Sequence, residues 1–248
     1  MSKISIIIPA RFKSTRFPGK PLAKILGKEM ILRVCDICKK VINKKHIYVA
    51  TDNSKIISKV KDAGYNFIRT KSNCLTGTDR VYQANKIVKS KIIINVQGDE
   101  PIINPNDIKK IIKAKIRFPN YVICGYNEIP FYKAENKNIP KVVFNRDNEM
   151  IYMSRAAIPS NKTKNKKNYK IHKQVCIYGF NSMQLKKFGL KKKKENLEKI
   201  EDIEILRFLD LRIKIKMIKV SNKSLSVDEK QDIKKVENFL RKWRKLIF

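Results

Sequence analysis

The 248-residue sequence has no long apolar stretch and no targeting segment that we can identify. No run approaches the ~20 apolar residues that a membrane-spanning helix needs. The apolar run at residues 4–8 is too short for a secretory signal, and no small-residue cleavage site follows it. We therefore expect a cytoplasmic protein without membrane insertion.

Cysteine and histidine are scarce, with five and two residues respectively. Cys35 and Cys38 form a CxxC pair, but they lie in an apolar-periodic stretch that predicts a helix, and no second pair follows. A structural zinc site would need two more ligands at a suitable spacing, which His46 and His172 do not supply. We interpret the cysteines as core residues of a protein in a reducing compartment.

Acidic charge is also scarce, because 22 acidic residues face 57 lysines and arginines, which gives a formal net charge of +35. Such an excess is one signature of nucleic-acid binding. A nucleic-acid site, however, is localised and interleaved with aromatic residues. Here lysines outnumber arginines about four to one and are spread along the whole chain together with many Ile and Asn residues. That profile favours the codon bias of an AT-rich genome, and we expect no specific nucleic-acid partner, although a basic nucleic-acid-binding protein stays open as an alternative.

The first half of the chain alternates short β-branched runs with amphipathic stretches. This alternation predicts an α/β fold with a mostly parallel sheet that is covered by helices on both faces. The predicted strands lie at 3–8, 46–51, 66–69, 91–96 and 121–125, and the helical patterns between them lie near 28–42, 53–63, 78–89 and 106–117.

The pattern changes from about residue 126, where strand, turn and strand follow one another. We interpret 1–248 as a single domain with a small lobe inserted at about 126–190. The rest of the chain is predicted to form an amphipathic helix at 201–211, a strand at 214–220 and a closing helix at 229–246.

Polar segments follow three of the predicted strands, at 9–20, at 51–53 (TDN) and at 97–101 (QGDEP). Ligands of such sheets bind outside the carboxyl ends of strands. The segment PARFKSTRFPGK (9–20) is neither a Walker loop nor a dinucleotide fingerprint, since it holds one glycine. Its Arg11, Arg16 and Lys20 are therefore expected to bind phosphates through their side chains, with Ser14 as a hydroxyl donor.

The second polar segment is NVQGDEP (95–101), which follows a strand that is predicted to be buried. Mg²⁺ typically takes one or two protein carboxylates and otherwise phosphate oxygens and water. Asp99 in this segment is therefore a candidate Mg²⁺ ligand. A cationic phosphate loop next to a metal carboxylate indicates nucleotide chemistry.

Taken together, these segments resemble the 3-deoxy-manno-octulosonate cytidylyltransferases, or CMP-Kdo synthetases. The likeness extends from near residue 3 to near residue 240. The matching motifs are IIIPARFKSTRFPGKPLAKILGKEMI (6–31), VATD (49–52), TGTDR (76–80), NVQGDEP (95–101), SRAAIP (154–159) and IYGF (177–180), in the order and spacing of that family.

The resemblance implies a Rossmann-like nucleotidyltransferase three-layer fold and a homodimer built through the small β-containing lobe. It also implies the reaction: CMP would pass from CTP to the anomeric hydroxyl of 3-deoxy-D-manno-octulosonate (Kdo), a 2-keto-3-deoxy sugar acid, for surface polysaccharide synthesis. Mg²⁺ would be the cofactor.

The resemblance assigns roles to residues at three parts of the site. Lys20, Arg11 and Asp99 would be catalytic, with Asp99 and Asp228 as ligands of Mg²⁺. The nucleotide would be bound by Arg11, Ser14, Arg16, Lys20, Thr51, Asp52, Thr78 and Arg80, and the sugar acid by Gln97, Arg155, Gln174, Tyr178 and Glu204.

The chain departs from the family pattern at the sugar end. Gln174 stands where the Kdo enzymes have histidine, and His172 lies two positions earlier on the same strand face if the segment is extended. Glutamine donates hydrogen bonds but cannot carry charge. Asp228 lacks the usual proline two residues later, and Lys141 is a weaker sugar-site candidate. The acceptor could accordingly be another ulosonic acid, such as an amino-Kdo or a nonulosonic acid.

Overall fold

The computed structural model describes residues 4–14, 16–160, 169–221 and 224–244. Its strands are β1 (Ile4–Pro9), β2 (Lys24–Ile25), β3 (Lys28–Glu29), β4 (Ile47–Thr51), β5 (Asn66–Arg69), β6 (Ile92–Val96), β7 (Val122–Pro130), β8 (Lys141–Phe144), β9 (Met150–Ser154), β10 (Lys170–Asn181) and β11 (Ile215–Lys219). Its α-helices are α1 (Met30–Lys39), α2 (Ser54–Asp62), α3 (Gly77–Val88), α4 (Pro105–Arg117), α5 (Ser182–Gly189), α6 (Asn196–Glu201), α7 (Arg207–Asp210) and α8 (Asp232–Arg244). None of these helices is long and apolar enough to cross a membrane.

The central sheet has the strand order β11-β7-β10-β6-β1-β4-β5. All neighbouring strands in this order are parallel except β10, which runs antiparallel to β6 and to β7. The predicted α/β fold with a mostly parallel central sheet is therefore confirmed.

Strand β1 shows why the sheet carries helices on both faces. Ile6, Ile7 and Ile8 are all fully buried, as expected for a central parallel strand. Ile6 and Ile8 pack in a core with α1, α2 and α4, whereas Ile7 packs in a second core with α3, α5 and α7. These cores make three layers. Cys35 and Cys38 are unpaired and buried in the first core, as predicted.

The segment 126–190 shares long strands with the central sheet. β7 and β10 extend beyond the neighbouring strands, and β8 pairs with β10 while β9 pairs with β8. Helix α5, which ends the segment, packs against α3. A lobe with boundaries near 126 and 190 stays a prediction.

The prediction of one continuous helix at 201–211 is wrong, because the structure has a break there between two short helices. Helix α6 ends at Glu201, Asp202 adopts a left-handed φ of 50°, and a 3₁₀ turn at 204–206 precedes α7. The physical reason is that Glu204 and Arg207 both turn inward to polar partners on other elements, which a straight surface helix would not permit. The last two residues of the predicted closing helix, 245 and 246, lie outside the described residues.

Candidate functional site

Two adjoining cavities open at the carboxyl ends of β1 and β6, where the sequence predicts a ligand. The larger cavity has a volume of about 600 Å³ and the smaller one about 280 Å³. They share walls formed by both polar segments, by the 202–204 turn and by the segment after β11. The predicted site residues that line the larger cavity are Arg11, Ser14, Arg16, Lys20, Arg80, Gln97, Asp99, Arg155, Glu204 and Asp228. Gln174 and Tyr178 line the smaller one.

The loop after β1 is closed by its own backbone. The N–H of Gly19 donates to the carbonyl of Phe12 at 2.9 Å, and Gly19 has a left-handed φ of 70°. Glycine suits this position because a side chain would be strained there. Lys20 follows at once in a short 3₁₀ turn with Pro21, so the turn fixes where its side chain begins. The single glycine of the segment thus orients Lys20.

Lys20 joins the two polar segments. Its Nζ donates to Oδ2 of Asp99 at 2.7 Å and to the carbonyl of Val227 at 2.8 Å. The backbone N–H of Val227 in turn donates to the carbonyl of Asp99 at 2.9 Å. Three segments that are distant in sequence therefore meet at one ammonium group.

Asp228 lies next to this junction. Arg16 contacts its carboxylate at 3.4 Å, and its own backbone N–H donates to Asp232 at the start of α8. Among the described residues there is no cluster of three or more His, Cys, Asp or Glu residues that could hold a metal alone. Asp99 and Asp228 nevertheless both line the two cavities, and a backbone hydrogen bond from Val227 to Asp99 joins their segments. Two carboxylates in this arrangement fit a Mg²⁺ ion, which takes one or two of them beside phosphate and water.

Arg80 lines the larger cavity, and its guanidinium contacts polar residues that directly follow β4 and β5. Its Nη1 lies 3.2 Å from Oδ1 of Asp52 and also donates to Thr70. Thr51 is fully buried, and its hydroxyl accepts from the N–H of Asn53. Thr51 and Asp52 do not line either cavity. Asp52 and Thr70 thus hold the guanidinium of Arg80 in position.

Glu204 bridges the walls between the two cavities. One of its carboxylate oxygens accepts from the backbone N–H of Thr78 at 3.0 Å, and the other accepts from Nε2 of Gln97 at 3.1 Å. Burial raises the pKa of this carboxyl. Thr78 takes part through its backbone, since its side chain is buried and lines neither cavity.

Gln174 and Tyr178 form one polar pair on β10. Nε2 of Gln174 donates to the hydroxyl of Tyr178 at 3.0 Å. The ring of His172 lies 5.1 Å from that of Tyr126 and 4.6 Å from that of Phe144, measured between centroids, and it lines neither cavity. Of the two residues, Gln174 therefore lines the smaller cavity and His172 does not.

Arg155 lines both cavities, but its guanidinium is held by the backbone. It donates to the carbonyls of Glu201, Lys137 and Asp202 at 2.7, 2.9 and 3.0 Å. Lys141 is fully buried and donates to the carbonyls of Asn136 and Arg155. Lys141 is thus placed to stabilise this wall and lines neither cavity.

Several cavity residues are missed by the sequence interpretation. Lys137, Lys194 and Lys173 line the cavities, but lysine is so common in this chain that its pattern carries no signal. Glu100 is different, because it directly follows Asp99 and is 5% exposed. Burial raises the pKa of its carboxyl to about 7, against the opposing effect of its hydrogen bond from Ser224. Its place in NVQGDEP is the signal that could have identified it.

Comparison with known proteins places this geometry in a family. A cytidylyltransferase family model matches residues 5–217. A 3-deoxy-manno-octulosonate cytidylyltransferase of Desulfatibacillum aliphaticivorans is 34% identical over 96% of this chain and 99% of the relative. An 8-amino-3,8-dideoxy-manno-octulosonate cytidylyltransferase of Shewanella oneidensis is 34% identical over 96% of this chain and 98% of the relative.

A solved structure is similar over the same length. It is a CMP:2-keto-3-deoxy-manno-octonic acid synthetase in complex with CTP, with a TM-score of 0.90 and 31% identity, covering 97% of this chain and 99% of that one. The predicted nucleotidyltransferase fold is confirmed by this likeness. The match also favours the enzymatic interpretation of the sequence over the nucleic-acid-binding one. The chain belongs to the cytidylyltransferase family and is a nucleotidyltransferase.

Proposed function

We propose that this enzyme transfers CMP from CTP to the anomeric hydroxyl of Kdo and releases diphosphate. The hydroxyl oxygen would bond to the α-phosphorus, the bond from that phosphorus to the diphosphate would break, and the hydroxyl proton would pass to solvent. The observation that carries the proposal is the meeting of Lys20, Asp99 and the Asp228 segment at one cavity. A cationic loop beside two carboxylates is the arrangement that phosphoryl transfer needs, since its catalysis is mostly positioning and charge stabilisation.

The roles follow from the contacts. Arg11, Ser14 and Arg16 would bind the triphosphate, and Arg80 would lie at the nucleoside end with Thr51 and Asp52 behind it. Asp99 and Asp228 would hold Mg²⁺, which when bound neutralises triphosphate charge and lowers the pKa of an attacking hydroxyl. Lys20 would then exchange its contact with Asp99 for a phosphate oxygen. The sugar acid would contact the residues that line the smaller cavity, Gln97, Arg155, Gln174, Tyr178 and Glu204.

A second acceptor is 8-amino-3,8-dideoxy-manno-octulosonate. Two observations favour it: the Shewanella relative has the same identity as the Kdo relative, and Gln174 departs from the Kdo pattern. The two acceptors differ at one substituent, where an amine replaces a hydroxyl.

We expect Kdo to give the higher kcat/KM of the two acceptors. The measurement is diphosphate release from CTP with each acceptor in Mg²⁺ buffer, with CMP-sugar formation followed by mass spectrometry. A higher kcat/KM for the amino sugar would reassign the acceptor without changing the reaction. Folded protein that turns over neither acceptor would contradict the proposed function.

We further propose a homodimer formed through the lobe at about 126–190. Among the described strands β9 pairs only with β8, and Ile151 on it is 61% exposed. An edge strand with an exposed apolar side chain is open to pairing with another chain. Light scattering after size-exclusion chromatography should give twice the chain mass of 29.0 kDa, and Ile151→Lys should shift the protein toward the monomer. A wild-type monomer at micromolar concentration would contradict this proposal.

A further inference from the structure

The smaller cavity, where the sugar acid is proposed to bind, is lined by more acidic than basic side chains. Five carboxylates and three cations line it. The carboxylates belong to Asp99, Glu100, Asp202, Glu204 and Asp228, and the cations are Arg16, Arg155 and Lys173. A substrate carboxylate that is buried among these groups needs a cation as its partner, because a buried charge without one is costly.

Two of the three cations already have partners. Arg16 contacts the carboxylate of Asp228, one of the two proposed Mg²⁺ ligands, and its loop faces the triphosphate. The guanidinium of Arg155 donates three hydrogen bonds to backbone carbonyls, and these bonds fix it to the cavity wall. Arg155 can contact a substrate only from this fixed position, through its two remaining N–H groups, and moving either guanidinium would leave its present acceptors without their donor.

Lys173 is the third cation. It lies on β10 directly before Gln174 and is half-buried. Among the described residues, neither a hydrogen bond nor an ion pair within 4 Å is found for its ammonium group. Its charge nevertheless acts on Glu100, whose carboxyl is on the wall of the same cavity. The ammonium group thus lies near this wall with its three donors unused.

We propose that Lys173 binds the carboxylate of the acceptor sugar acid and selects acids over neutral sugars. This inference rests on the proposed function, since it concerns the acceptor of that reaction. A buried or half-buried ammonium gains more from a carboxylate than an exposed one does, because the cavity screens the pair less than bulk water. The contact would orient the anomeric carbon, to which the carboxylate of a 2-keto acid is attached, and would leave Gln174 and Tyr178 for the hydroxyl groups.

The test replaces Lys173 by methionine and by glutamine, and measures steady-state kinetics with the acceptor that the wild type uses. A lost charge-assisted hydrogen bond predicts an acceptor KM that is about 10- to 100-fold higher, while the KM for CTP stays within about twofold. Lys173→Arg keeps the charge and should recover most of the affinity. The matched control is Lys170→Met on the same strand, where the exposed lysine pairs with Glu128; its acceptor KM should stay at the wild-type value.

A substrate analogue separates recognition from a structural effect. The C1 carboxamide of the acceptor keeps the shape of the acid and removes its charge. Wild type should prefer the acid over the amide by about 10-fold or more, and Lys173→Gln should lose that preference. An unchanged acceptor KM in both neutral variants, or an unchanged acid preference, would overturn the inference. A wild type without turnover would instead refute the proposed function, so the two failures are distinguishable. If the two neutral variants do not fold, the preference for the acid over the amide is measured in Lys173→Arg instead.

Discussion

Lys20→Met should lower kcat for diphosphate release by about 10²- to 10³-fold, the usual effect of removing one group that stabilises developing charge. The reason lies in the position of the ammonium group. It is 15% exposed and 2.7 Å from Asp99, so it can reach phosphate oxygens on the same side of the cavity once Asp99 binds a cation. The variant keeps an unbranched side chain that is one atom shorter and removes the ammonium group. The measurement is kcat with CTP and acceptor both saturating.

The matched control for this prediction is Lys13→Met in the same loop. Lys13 is exposed and does not line either cavity. Lys13→Met changes the net charge of the protein by the same amount as Lys20→Met. The comparison therefore separates the effect of the position of the lysine from the effect of its charge. We expect kcat within about twofold of the wild type, as for other exposed surface charges. Equal losses in both variants would mean that the loop acts through its total charge, and near-normal kcat in Lys20→Met would remove Lys20 from the mechanism.

The sequence could predict the nucleotide end of the site because its signals are local. Arg11 and Arg16 lie within one loop after one strand, and Asp99 follows another strand of the same sheet edge. The alternation of strands and helices brings such loops together whatever the details of the packing. This rule predicts that the loops of Lys20 and Asp99 lie close together, whereas their junction also needs the turn at Gly19 and the segment of Val227.

The sugar end could not be predicted to the same depth because it depends on long-range contacts. The apolar periodicity does not show the break between α6 and α7. The break depends on Glu204, whose carboxylate accepts a hydrogen bond from the backbone N–H of Thr78 on α3, 126 residues away in sequence. Arg155 illustrates the same limit. Its type and place suggest a ligand contact, yet three backbone carbonyls from two other segments hold its guanidinium.

Arg207 is another residue whose role appears only in three dimensions. It is fully buried, and its guanidinium donates to both carboxylate oxygens of Asp79 at 2.7 and 3.1 Å and to both of Glu198 at 2.6 Å. Asp79 lies in the first turn of α3 and Glu198 in α6. The ion triad therefore joins α3, α6 and α7 behind the wall that carries Thr78 and Glu204.

We expect Arg207→Met to lower the free energy of unfolding by about 3–5 kcal/mol, because it leaves two buried carboxylates without their cation. The fork of the guanidinium bonds two carboxylates at once, which the single ammonium of lysine cannot reproduce. Arg207→Lys should thus fall between the wild type and Arg207→Met. Urea denaturation followed by circular dichroism gives the three values, with CTP omitted so that ligand binding does not add to them.

The matched control is Arg69→Met at the end of β5, where the arginine is exposed. Its unfolding free energy should stay within about 0.5 kcal/mol of the wild type, as for most surface substitutions. A loss below about 1 kcal/mol in Arg207→Met would contradict the prediction, since it would mean that water reaches the two carboxylates. The loss of kcat in Arg207→Lys should be smaller than in Lys20→Met, because Arg207 lines neither cavity and contacts Asp79 and Glu198 instead.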